Sequence, residues 1–258
     1  MRLLAALALI GLLAGPARAA LTAADTAKVG VFPPPDATAP LSLAFTDDAG
    51  RPTSLGAAMG GRPTLLVFSD YRCTSLCGPA LVLAKAALQQ THLRPGRDYR
   101  LVVIGIDPRD GPAAAAAMRA ERIGDDPALS RAASFLSGSP AAIAAATRAL
   151  GFSYRYDADH DVYAHPVAAY ALARDGRAAR VISEIGFRPA ELQSALLQAG
   201  QGRIAPLAYP LHILCYCFDT AAGLYNGDVL AALRIGGAAI VLALALGLVA
   251  VARRGARP

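Results

Sequence analysis

The chain has 258 residues, 55% of them hydrophobic and only 17% charged, with a formal net charge of +6. Arg2, Arg18, Arg253, Arg254 and Arg257 lie in two end segments that contain no acidic residue, and they supply nearly all of that excess. A basic, aromatic-interleaved face for nucleic acid is thereby excluded, and the length leaves room for one domain of ~150–180 residues plus accessory segments.

In chain order, Met1-Arg2, the apolar run 3–14 and Ala17-Arg18-Ala19 have the three parts of a secretory signal peptide over 1–19. That run is too short to span a bilayer. Residues 20–40, rich in Ala, Thr and Pro, are expected as an extended linker. Alternating apolar residues at 41–45 and 51–55 around Asp47-Asp48-Ala49-Gly50 predict a β-hairpin. Thr64–Ser69, with its continuous Leu65-Leu66-Val67-Phe68 core, predicts a strand covered on both faces. Cys73 then falls in a loop. Cys77 stands at the start of a helix, with Pro79 in its first turn and strong helix formers over 81–90.

A second buried strand is expected at 99–106, ending at Asp107-Pro108-Arg109-Asp110-Gly111-Pro112. Residues 113–122 are expected as a helix and 134–138 as a short strand, and Ser139-Pro140 caps a helix running to 150. The Tyr- and Asp-rich stretch 154–164 is expected as a polar loop delivering His165-Pro166. A hairpin of 167–173 and 179–185 follows, then a closing helix over 188–199. Residues 204–234 form a membrane-proximal segment in this reading. The uncharged 18-residue stretch 235–252 is expected as a transmembrane helix, with the basic tail 253–258 in the cytoplasm. The expected fold over 41–203 is an α/β, thioredoxin-like sandwich with an extra N-terminal β-hairpin, followed by that single C-terminal transmembrane helix.

The chemistry concentrates at Cys73 and Cys77. A helix N-terminus favours thiolate over thiol, and two thiolates on such a turn either exchange disulfides or hold a soft metal. Export places both where disulfides persist. Their three-residue spacer is looser than the two-residue spacer of thioredoxin-type redox motifs, which favours chelation without excluding a disulfide. Asp107 and Asp110 are expected as turn and N-cap residues, and His92 and His160 as surface histidines.

Cys73-x-x-x-Cys77 after a strand, the Asp107 to Pro112 turn after the next strand, and His165 before a hairpin together resemble the Sco/SenC family. The resemblance covers residues 38–200, and the stretch from His212 to Tyr225 with the helix beyond it is similar to the tail of that family's C-terminally anchored bacterial branch. It implies a thioredoxin-like, membrane-tethered periplasmic protein that delivers copper to the dinuclear copper centre of cytochrome c oxidase. It also implies that Cys73, Cys77 and His165 are the copper ligands. Two thiolates with an imidazole suit Cu(I), and Cu(II) if a further ligand joins. Thr74 and Gly78 stand where family loops usually carry proline, and His165 is flanked by Ala164 and Pro166 rather than by Asp and a small hydroxyl residue.

The leading expectation is therefore a copper chaperone rather than an enzyme. The alternative is a thiol–disulfide oxidoreductase in which Cys73 attacks and Cys77 resolves. Cys215, Cys217 and His212 are candidates for a second metal or redox site near the membrane, since alternate residues of an extended segment share a side. Against this stands a merely membrane-proximal cysteine pair, with Tyr216, Phe218 and Tyr225 as an interfacial belt.

Overall fold

The structure, a computed structural model, describes residues 21, 25, 27–72, 77–158, 161–183, 187–204, 214–215, 234–242 and 244–246, with the backbone only at 77–79 and 214–215. The chain divides into two units, Ala23–Phe218 and the two ends 1–22 and 219–258.

The first unit is built on a seven-stranded sheet. Its strands are β2 (Ala44–Asp47), β3 (Pro52–Ser54), β4 (Thr64–Ser69), β5 (Arg100–Gly105), β6 (Ala133–Ser137), β10 (Ala168–Leu172) and β11 (Ala178–Ser183). Their order across the sheet is β11-β10-β4-β5-β6-β2-β3. β4, β5 and β6 are parallel neighbours, β10 and β11 close one edge as an antiparallel hairpin, and the β2–β3 hairpin extends the other. A parallel centre with an antiparallel hairpin beside the cysteine strand is the thioredoxin-like arrangement expected, and β2–β3 is the added N-terminal hairpin.

The strand sequences alternate between two cores because successive side chains point to opposite faces. Leu66, Phe68, Val102 and Ile104 face one core, closed by Leu55 and Met59 of α1 (Leu55–Met59), by Ala142 and Ala146 of α5 (Pro140–Ala149), and by Phe152. Leu65, Leu101, Val103 and Phe135 face the other. It is covered by α2 (Cys77–Gln89), α3 (Pro112–Ile123), α4 (Pro127–Ala132) and α6 (Pro189–Gly200). All eight of these strand residues are at most 2% exposed, so each contributes about 1.5–3 kcal/mol of hydrophobic stabilisation. Ser139 caps α5 as expected, its side chain accepting the Ala142 N–H with Pro140 at the first helical position.

Two expectations about the fold are corrected. The stretch read as a linker is extended but not free. Val29 and Val31 are fully buried, and β1 (Gly30–Val31) pairs antiparallel with β7 (Phe152–Ser153). The stretch read as a polar loop is an antiparallel hairpin of β8 (Arg155–Asp157) and β9 (Val162–Pro166), so His165 stands in a strand. The polar look of its sequence comes from tyrosines that pack: Tyr163 lies against both Tyr154 and Tyr156, with ring centroids 5.7 and 5.0 Å away. Helix α4 was not foreseen at all.

Among the described residues no helix is long and apolar enough to cross a membrane. Of the span expected over 235–252, residues 235–242 and 244–246 are helical, and the remainder lies outside the described residues. The expected signal peptide lies outside them too.

Candidate metal centre

Strand β4 ends at the buried Ser69, and Asp70, Tyr71 and Arg72 carry the chain towards Cys73. Cys73 lies outside the described residues. Cys77 is the first residue of α2, where the N-terminal end of the helix dipole favours a thiolate. His165, on β9, is 2% exposed. Its Nδ1 lies 3.0 Å from the Pro166 carbonyl oxygen. With the proton on Nδ1 this is a hydrogen bond, and Nε2 then carries the lone pair that a metal takes.

His165 lines a cavity of about 10 Å³ together with Ser69, Phe187, and Leu81 and Ala84 of α2. Cys77, Leu81 and Ala84 are spaced i, i+4, i+7, so they belong to one face of that helix. Strand packing thus brings His165 to the helical row that Cys77 heads, although 88 residues separate the two in sequence. Ser69 Oγ is buried and has no hydrogen-bond partner among the described residues. By residue type, the two cysteines and the buried imidazole are a donor set suited to a soft cation. Among the described residues no group of three His, Cys, Asp or Glu side chains is assembled into a metal site. His160, His212 and Cys217 lie outside the described residues, and His92 is an exposed residue whose backbone N–H donates to Gln193.

The approach to the cysteine loop is held by Tyr71. Its hydroxyl lies 2.9 Å from the Val103 carbonyl and 3.0 Å from that of Leu136, and it accepts the Leu136 N–H at 3.0 Å. Burial pushes the phenol well above its ordinary pKa. The Tyr71→Phe variant is expected to lose about 1–3 kcal/mol, because buried backbone groups of β5 and β6 lose their partner. A urea titration read by far-UV circular dichroism checks it, and an unchanged midpoint would refute it.

Around this anchor lies a charge network that the sequence did not reveal. Asp70, Asp107 and Asp110 are all at most 4% exposed. Asp110 accepts the Tyr71 backbone N–H at 3.2 Å, and its Oδ1 lies 2.8 Å from Arg72 Nε as an ion pair. Asp110 is therefore not the N-cap expected of it; the N-cap of α3 is Gly111, with no side-chain capping bond. Asp107 takes the turn role foreseen for it, accepting the Arg109 N–H, and also binds the Arg109 guanidinium at 2.7–2.9 Å. Arg109 reaches on to Asp161 at 2.6 Å and lies over the Tyr156 ring. The ladder thereby ties the start of the cysteine loop to the turn of the hairpin that carries His165. No local signal could have found its long-range ties, since Arg72–Asp110 and Arg109–Asp161 join residues 38 and 52 apart.

Burial first, then the charges of Asp70 and Asp107, pushes the Asp110 carboxyl up to about 6 against the pull of Arg72 and the Tyr71 N–H. Burial also acts against ionisation of Asp107, but the Arg109 hydrogen bonds outweigh it and hold that carboxyl below its usual range. Because the folded-state pKa of Asp110 lies above the ordinary 3.8, the folded chain holds its proton more tightly. This contribution to stability is complete below about pH 4 and fades as pH rises through 6. The Asp110→Asn variant should abolish that slope, worth on the order of 1–3 kcal/mol. Its Tm relative to wild type is expected to rise steadily between pH 4 and 7, and a constant difference would contradict the assignment.

The SCO1/SenC family profile matches residues 37–199. Copper-bound ScoI from Arabidopsis thaliana superposes with a TM-score of 0.53 at 20% identity, covering 64% of this chain and 99% of that one. Yeast Sco1 gives 0.52 at 13% identity, with coverage of 64% and 99%. BsSco, a Sco-family cytochrome c oxidase assembly protein in which a disulfide switch was identified, gives 0.50 at 18%, with coverage of 66% and 98%. No curated protein matches the chain. The shared fold and the profile match over most of the sheet-bearing unit agree: the chain belongs to the SCO1/SenC family.

Proposed function

We propose that this protein is a membrane-anchored periplasmic copper chaperone that serves assembly of cytochrome c oxidase. Cys73 and Cys77 hold Cu(I) as thiolates, His165 completes the site through Nε2, and the ion passes to the cysteines of the oxidase's copper-binding subunit by ligand exchange. The observation that carries this reading is the placement of His165, buried in β9 and lining a cavity with the helix that Cys77 opens. Family membership and the copper-bound relative support it. A third, imidazole donor is what a metal site needs and disulfide exchange does not. Anchoring is supported by the helical stretch 234–242 and 244–246, in which Ile235, Ile240, Val241, Leu242, Leu244 and Leu246 are all more than half exposed.

A second reading is favoured by Cys77 at a helix N-terminus and by the disulfide switch of BsSco. In it the Cys73 thiolate attacks a partner disulfide and releases one partner thiolate. Cys77 then displaces the second, leaving a Cys73–Cys77 disulfide and a reduced partner. Anaerobic Cu(I) titration of the reduced full-length protein in detergent separates the two. Stoichiometric binding lost in Cys77→Ser supports the chaperone. A wild type that binds no copper but cycles reversibly between dithiol and disulfide supports the oxidoreductase.

A further inference from the structure

The cysteine pair beyond the domain reads in the sequence as a separate, membrane-proximal feature. The fold places its first member elsewhere. Strand β12 (Leu214–Cys215) adds to the β8–β9 hairpin, giving a three-stranded sheet in the order β12-β9-β8. The pairing is antiparallel, with Leu214 opposite Pro166 and Cys215 opposite His165. Residues directly opposite in an antiparallel ladder share a face of the sheet, with Cβ atoms about 4.5–5.5 Å apart. Register in such a ladder is a discrete choice, because a one-residue slip would move a residue to the other face. The segment leading to the C-terminal helix thus brings a third thiol-bearing position, Cys215, next to the one histidine the candidate centre uses.

We propose that Cys215 is a ligand position of the same copper centre as His165, and that it belongs to no separate membrane-proximal site. The inference rests on the chaperone reading and deepens it. Cys77 opens the helix after β4, and His165 and Cys215 stand opposite each other on paired strands of a second sheet, so donors from two elements of the fold would share the ion. A third thiolate strengthens the preference for Cu(I) over harder cations. It also supplies a donor that stays with the ion while one loop thiolate is exchanged for a partner's, so that transfer proceeds through occupied coordination positions. Ser69 fits the same picture, since its buried hydroxyl lines the cavity beside His165 and lacks a partner among the described residues. A hydroxyl so placed is a ready donor to a thiolate ligand.

Anaerobic Cu(I) titration of the full-length protein in detergent, with a competing chelator, tests the proposal on wild type, His165→Ala, Cys215→Ser and the double variant. One shared centre predicts a single copper per chain, held at least tenfold more weakly in Cys215→Ser, with the double variant no worse than about twofold below the weaker single variant. Two coppers per chain, each lost independently in one single variant, would overturn it, as would wild-type retention in Cys215→Ser. A second measurement needs no copper. In a chain with Cys73, Cys77 and Cys217 changed to Ser, the His165→Cys variant is oxidised with diamide and its peptides are mapped without reduction. A disulfide from position 165 to Cys215 supports the register juxtaposition, and its absence overturns the proposal. If wild type binds no copper yet this bridge forms, the chaperone reading fails while the juxtaposition stands.

Discussion

Replacing His165 by Ala is expected to lower Cu(I) retention by about 100-fold or more while leaving thiol–disulfide exchange at Cys73 and Cys77 within about threefold of wild type. The asymmetry follows from what each chemistry requires. Exchange needs a thiolate and an accessible partner sulfur, and the helix N-terminus at Cys77 supplies its share of that without any imidazole. Copper retention needs a donor set that persists, and without the imidazole that β9 holds in place the remaining thiolates exchange more readily with competing chelators. The substitution also removes a buried ring that packs 6.2 Å from Phe152. Some loss of stability, about 2 kcal/mol, is therefore expected beside the loss of metal. A far-UV circular dichroism spectrum matching wild type shows that the domain is still folded, so a fall in copper binding with retained exchange reports the ligand. Equal loss of both activities would count against the chaperone.

The second large effect concerns Gly151. Its φ is +67°, in the left-handed region, and a Cβ there would overlap the Phe32 carbonyl group and come within 2.6 Å of the Pro33 Cα. The neighbouring contact is a backbone hydrogen bond, Phe32 N–H to Gly151 C=O at 2.7 Å, beside the β1–β7 pairing. No flexible side chain can yield, since every clashing atom is backbone. Gly151→Ala is expected to cost about 2–5 kcal/mol, from the left-handed conformation and the steric conflict together. The damage should be directional, because the chain at 29–33 must lift away and Phe152 must shift with it. The Phe152 ring lies 4.7 Å from Phe68 and borders His165. Urea unfolding measures the stability loss, and hydrogen exchange of 29–33 measures the local release. Unchanged protection there would refute the account even if stability fell.

How far the sequence could be read differs by kind of residue. Thr64–Ser69 was legible because a continuous apolar run bounded by Pro63 and the cysteine loop has few interpretations. The Ser139-Pro140 helix start was legible because a cap is a local hydrogen bond. The β8–β9 hairpin was not, since Tyr154, Tyr156 and Tyr163 gain their value only by stacking on each other across paired strands. Asp110 looked like a cap because of its place before Gly111-Pro112. It binds the Tyr71 N–H, 39 residues away, because parallel pairing of β4 and β5 sets their ends side by side.

The sequence alone determined several of the elements and the chemistry on offer: the buried cysteine strand, the helix opened by Cys77, the helix capped by Ser139, and a histidine before a hairpin. Periodicity, capping and residue type act over a few residues, so they are written where they act. Only the tertiary structure decided who meets whom. It buried His165 beside the row headed by Cys77, built the Arg72–Asp110 and Arg109–Asp161 ties, and set Cys215 opposite His165. Those meetings depend on strand order and register, which the whole hydrophobic core selects at once and which no local stretch encodes.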